Sequence, residues 1–167
     1  IFLSQLQYVI GKENFDNTLK RYFDDWSFKH PKPIDFIRSA EKVSGLELDW
    51  YLLDWAQSTM TIDYSVNSLY GIDNKTRVVL KRIGQMGMPI DLRIELISGE
   101  TLDYNIPMTK MRGSKPVGSS TLLKSWSWAK PYYEMWLDVN SKNISKITID
   151  PKNEMADVNR KNNYLVF

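Results

Sequence analysis

Residues Lys12 to Trp55 read KENFDNTLKRYFDDWSFKHPKPIDFIRSAEKVSGLELDWYLLDW. Phe15, Leu19, Tyr22, Phe23 and Trp26 recur at i, i+4, i+7, i+8 and i+11, the spacing of one helical face, and predict a helix from about Glu13 to Trp26. Asp16 and Lys20 form an i, i+4 pair on the other side. Pro31 and Pro33 break this helix and open the next, Pro33 falling near the tolerated first turn. Ile34, Ile37, Ala40 and Val43 give the next apolar stripe, and Gly45 stops it. A further helix is expected from about Leu48 to Ala56, with Leu48, Tyr51, Leu52 and Trp55 on one side and Asp49 complementing the dipole of its first turn.

Upstream, Ile1, Phe2, Leu3, Leu6, Val9 and Ile10 suit one face of a first helix that ends at Gly11. No capping residue precedes it. The expectation is a chain that begins inside a helix and is a piece of a longer protein. Its helices would then leave an apolar patch, including Phe2, Leu6 and Phe15, that invites self-association. Downstream of Thr59 the period changes from 3.6 to 2. Ile62, Tyr64 and Val66 alternate with polar residues, as do Leu92, Ile94 and Leu96, and Leu102, Tyr104 and Ile106. Ser98-Gly99 marks a hairpin between the last two runs. Val78 and Leu80, then Tyr133 to Val139, Ile147 to Ile149 and Tyr164 to Phe167, supply further strands, while Lys110 to Ser120 reads as a loop. The fold class is therefore α+β: a helical segment over residues 1–60, then an antiparallel β-sandwich over residues 61–167, joined by a short, packed connection.

Composition narrows function by exclusion. The 167 residues carry a formal net charge of +2, with lysines and arginines scattered rather than clustered, which argues against a nucleic-acid partner. No apolar run approaches the length of a membrane span. Cysteine is absent, which removes thiolate nucleophiles and thiolate metal sites together. The one histidine, His30, sits in the charged junction Lys29-His30-Pro31-Lys32 and reads as an exposed loop residue. A zinc site needs several converging imidazoles or carboxylates, and a catalytic triad needs an imidazole held by packing, so no catalytic, cofactor-binding or metal-ligating residue is assigned.

The remaining constellations have plain structural readings. Asp24 and Asp25 are adjacent on a helix and point about 100° apart, so they do not converge. Asp157, Asn159, Asn162 and Asn163, with Asp150, lack the central glycine and closing glutamate of a calcium loop and read as turn residues. Lys110, Arg112, Lys115 and Lys124 surround a glycine-containing loop that lacks the strand-to-helix setting of a phosphate site. Trp126-Ser127-Trp128, near Tyr132, Tyr133 and Trp136, would share one face of a strand. Buried, the two tryptophans fill the sandwich core; exposed, they form a platform for a glycan or peptide.

The order of these helices resembles the end of the catalytic domain in the gluzincin, or aminopeptidase N-like, zinc metallopeptidases. The residues that carry the likeness are Leu3, Leu6, Gly11, Phe15, Tyr22, Pro33, Asp35, Phe36, Ser44, Gly45, Leu48, Trp50 and Trp55. Arg82-Ile83-Gly84, Met88-Pro89-Ile90, Trp126, Trp128, Pro131, Tyr132, Ile149-Asp150-Pro151 and Ala156 to Asn163 are similar to the following sandwich of bacterial members. The resemblance implies a non-catalytic C-terminal part of a zinc aminopeptidase, a hydrolase of peptide N-termini. That part would support the remainder of the parent's catalytic domain, which acts on the peptide substrate. The family's H-E-x-x-H helix and its downstream glutamate are not in this sequence, so zinc is implied for the parent alone and no catalytic role transfers to any residue here. The alternative expectation is a β-sandwich module that binds a glycan or a peptide.

Overall fold

The computed structural model describes Ile1–Phe167. Four helices come first: α1 (Phe2–Ile10), α2 (Lys12–Trp26), α3 (Pro33–Ser44) and α4 (Asp49–Ala56). Eight strands follow: β1 (Tyr64–Ile72), β2 (Lys75–Arg82), β3 (Ile90–Leu96), β4 (Thr101–Ile106), β5 (Thr121–Leu122), β6 (Tyr132–Leu137), β7 (Ile144–Ile149) and β8 (Tyr164–Val166). The architecture is α+β, as the change of period predicts.

Local chemistry sets the helix ends. Asp35, in the first turn of α3, accepts the Lys32 N–H at 2.7 Å, and Pro33 occupies the position where a missing N–H costs nothing. Gly45 ends α3 in the left-handed region, at φ 71°, where a side chain would be strained. Tyr22 of α2 meets Phe36 of α3 edge to face, with ring centres 5.1 Å apart.

The strands form two sheets, β1-β2-β6 and β5-β4-β3-β7-β8. All strand pairings are antiparallel except β4 with β5, a two-residue parallel pair just after the segment that reads as loop from sequence. Val78, Leu80, Met135 and Leu137 from one sheet and Leu92, Ile94, Ile147 and Ile149 from the other are all buried. These residues belong to one hydrophobic cluster that also takes in Leu6, Val9 and Ile10 of α1, Ile37 of α3 and Tyr51 of α4. A nine-residue helix such as α1 is marginal in water. Burying Leu6, Val9 and Ile10 contributes about 1.5–3 kcal/mol each, so α1 owes its helicity to the core it enters.

The connection between helices and sandwich is pinned by backbone. Ile83 and Gly84 N–H both donate to Asp63 O, at 2.7 and 2.9 Å, and Met86 N–H donates to Thr61 O at 3.2 Å. Gly84 is required here: a Cβ would lie 2.3 Å from Thr61 O and 2.5 Å from Asp63 N.

Two expectations need correction. Leu6 and Phe15 are buried and Phe2 is half-buried, because α1 packs into the sandwich core and α2 packs against α1. The exposed large apolar side chains of the helical part are instead Ile1, Leu3, Leu19, Phe23, Phe28 and Leu53. Trp126 and Trp128 do not share a strand face either. Trp126 makes an isolated parallel bridge to Met108, and the chain then turns, so Trp126 is buried while Trp128 is 54% exposed.

Candidate functional site

The densest polar arrangement lies where α1 meets the five-stranded sheet. Along α1, Gln5 and Tyr8 face the sandwich three residues apart. The Tyr8 hydroxyl donates to Pro89 O (3.1 Å) and accepts the Asp91 N–H (3.2 Å). Gln5 Nε2 donates to Glu154 O (2.8 Å), and its Oε1 accepts the Ala156 N–H (2.9 Å). Lys115 closes the arrangement from the 112–120 loop. Its ammonium donates to Asp91 Oδ2 (2.6 Å) and to Tyr8 O (3.1 Å) and lies 4.2 Å from the Tyr8 ring centre. Asp91 Oδ1 accepts from Asn105 Nδ2 at 2.7 Å. The last turn of α1 contains no basic residue, so Lys115 supplies the cation that its C-terminal carbonyls favour. Burial, then the nearby Asp91 and Asp150 carboxylates, pushes the Tyr8 hydroxyl well above its ordinary value, which keeps it neutral and able to donate.

Beside this joint is a cleft of about 610 Å³, bounded by α1, the outer face of β3 and β4, the 115–120 loop and the 150–154 turn. Arg93 and Asp103, opposite one another on β3 and β4, form a two-pronged pair across its floor at 2.7 and 2.9 Å. Hydrogen bonding from Arg93 holds the Asp103 carboxyl below its usual value. Asp150, in the left-handed region at φ 50°, accepts the N–H groups of Glu154 (2.9 Å) and Met155 (2.8 Å). Burial raises its carboxyl and those two donors pull the other way. Arg93 is tied to Asp103, Lys115 to Asp91 and Asp150 to backbone N–H groups, which suits a rigid joint better than a poised acid or base.

The residues singled out from sequence disperse over the molecule. His30 is exposed in the loop between α2 and α3, and Asp24 and Asp25 are exposed at the end of α2. Asp157 Oδ1 accepts the Asn159 N–H (2.8 Å) and Oδ2 the Tyr64 N–H (2.9 Å), while Asn162 Nδ2 donates to Asp63 Oδ1 (2.8 Å). The Asn163 amide satisfies its neighbours when its nitrogen faces Tyr64 O (2.7 Å) and Asp157 Oδ2 (3.1 Å). This cluster acts as turn chemistry that ties residues 157–163 to β1. The zinc that the family resemblance implies does not fit the residues here: His30 stands alone, and no three His, Asp or Glu side chains converge in metal-holding geometry.

Trp126 packs between Tyr64 and Tyr133, with ring centres 5.4 and 5.3 Å away, and its Nε1 donates to Lys130 O at 2.8 Å. Burial pushes the Tyr64 hydroxyl up to about 12. Of the four loop cations, Lys115 turns inward, Lys110 lies 5.0 Å over the Trp128 ring, Arg112 stands 3.8 Å from Glu47, and Lys124 is exposed. Sequence reasoning gave Tyr8, Asp91 and Asn105 no role, because none stands in a motif and their partnership exists only in three dimensions.

Neither protein-family models nor curated proteins give a match to this chain. No helix is long and apolar enough to cross a membrane.

Proposed function

We propose that this chain is the closing, non-catalytic part of a gluzincin-type aminopeptidase. In this reading α1–α4 finish the catalytic domain and the sandwich braces them. The observation that carries the reading is the locking of α1 to the sandwich through Gln5, Tyr8 and Lys115, in a helical series whose motif order resembles that family's. A brace must fix the axial position and the rotation of the helix it supports. Bonds at two points along α1, at Gln5 and at Tyr8, fix both. The zinc ligands and the substrate-binding residues then belong to the remainder of the protein, and the peptide substrate meets that remainder.

The test compares two purified proteins: the chain alone, and the chain with its native upstream coding region, both assayed on aminoacyl arylamides with zinc present. The chain alone is expected to be inactive and the longer protein active. Lys115→Met in the longer protein should lower activity, with a parallel loss of protection at the α1 amides in hydrogen exchange. Hydrolysis by the chain alone, or an upstream region that encodes no zinc-binding helix, would refute the proposal.

A further inference from the structure

Trp128 remains unexplained by the joint, and it is held rather than loose. Its carbonyl accepts from Arg82 Nη2 at 2.6 Å, and the turn that follows closes through Lys130 N–H to Ser127 O at 3.0 Å. Its indole stands at a groove of about 350 Å³, between the start of α4 and the Thr109–Met111 turn. The groove has two unlike banks. Glu47 and Asp49 come from the helical side, Lys110 and Arg112 from the sandwich side, and Trp50 and Thr109 complete the lining.

The charges meet only loosely across this groove, and Asp49 also pairs with Arg38 outside it at 3.3 Å, both side chains being about half exposed. Arg112 and Glu47 are 3.8 Å apart and both largely exposed, with side-chain accessibilities of 79% and 51%. Lys110 lies over the Trp128 ring at 5.0 Å. The contrast with the 610 Å³ cleft is direct, since there Lys115 and Asp91 meet at 2.6 Å with little exposure. Tryptophan and arginine, which meet here at Trp128 and Arg112, are residue types enriched in binding hot spots, and a large rigid ring loses little entropy on contact.

The banks decide the class of ligand. A neutral sugar stacked on Trp128 would displace Lys110 from the ring and cover four charges without returning a counter-charge to any of them, which costs desolvation. An extended peptide answers both banks: a cationic group toward Glu47 and Asp49, an anionic group toward Lys110 and Arg112, and an apolar side chain on the indole. We infer that the Trp128 groove is a binding site for a short peptide segment bearing an apolar residue between a cationic and an anionic group. This inference stands apart from the aminopeptidase reading and is tested on the chain by itself.

The experiment is calorimetric titration of the full 167-residue chain with three probes: the tetrapeptide Lys-Phe-Gly-Glu, its uncharged N-acetylated and amidated analogue Gly-Phe-Gly-Gly, and cellohexaose. Lys-Phe-Gly-Glu is expected to bind with a dissociation constant on the order of 0.1–1 mM. Trp128→Ala, and separately Glu47→Lys with Asp49→Lys, should each weaken it about tenfold, and so should raising salt from about 0.05 to 0.5 M. Trp128 is exposed, so Trp128→Ala should keep the wild-type circular dichroism and melting temperature. Absence of saturable heat with the charged peptide, equal binding of the uncharged one, preference for cellohexaose, or binding unchanged in Trp128→Ala would each overturn the assignment.

Discussion

Helices α1 and α2 are separated by a single glycine, yet they meet different surroundings. In α1, Leu6, Val9 and Ile10 are completely buried and Gln5 and Tyr8 are bonded to the sandwich. In α2, Phe15 and Thr18 are buried, but Phe23 is 70% exposed and Leu19 41%. Both helices are amphipathic in sequence. The difference is that α1 has two surfaces to satisfy, its helical neighbours and the sandwich, whereas the α2 stripe is wider than the surfaces of α1 and α3 that cover it. Amphipathicity therefore tells which face of a helix seeks cover and leaves open how much cover the fold supplies.

The sharpest way to break this contrast is truncation of one residue in each helix. Leu6→Ala should cost about 2–5 kcal/mol, since it leaves a cavity beneath α1, while Phe23→Ala should stay within about 0.5 kcal/mol. Urea unfolding of both variants, followed by circular dichroism, gives the comparison, and equal losses would show that α2 is as integral as α1. Next in size is Lys115→Met, which leaves Asp91 without its ammonium partner and Tyr8 O without a donor. A loss of about 1–3 kcal/mol is expected, with faster hydrogen exchange in α1 and little change in α2.

A third test uses the uncovered face of α2 and the turn just past it. Phe23→Ser together with Phe28→Ser should reduce self-association in light scattering at high concentration without lowering the melting temperature. A wild-type protein that stays monomeric throughout would remove the basis for that expectation.

The smallest effect concerns the sheet floor under α1. Asp103 has its carboxyl lowered by the Arg93 hydrogen bond. Its stabilisation is therefore fully present above the ordinary aspartate value of about 3.9 and is lost as pH falls through the lower folded value. The pair is partly exposed, with side-chain accessibilities of 37% and 28%, so the contribution is on the order of 0.5 kcal/mol. Asp103→Asn should flatten the pH dependence of stability below about pH 4 by that amount, and an unchanged acid limb in the variant would remove the pair from the account.

What the sequence disclosed follows from how local each signal is. Gly11, Gly45, Pro33 and the Ser98-Gly99 turn act through their own backbone, and each falls where the structure needs it. The alternation of Leu92, Ile94 and Leu96 marks β3 for the same reason. Lys115 was not legible as a joint residue. A lysine among Gly113, Pro116 and Gly118 looks solvated, and only the approach of α1 turns it inward. Trp126 and Trp128 misled because the two-residue rule for sharing a face holds in strands, and the chain leaves its bridge to Met108 between them.

The two hydrogen bonds of Gln5 reach to residues 154 and 156, separations of 149 and 151 positions. A ribosome adding about 5–20 residues per second would need roughly 8–30 s to supply those partners. During that interval α1 is a short apolar segment without the sandwich surface that buries Leu6, Val9 and Ile10. Its final docking then follows the synthesis of residues 154–156 rather than accompanying that of the helices.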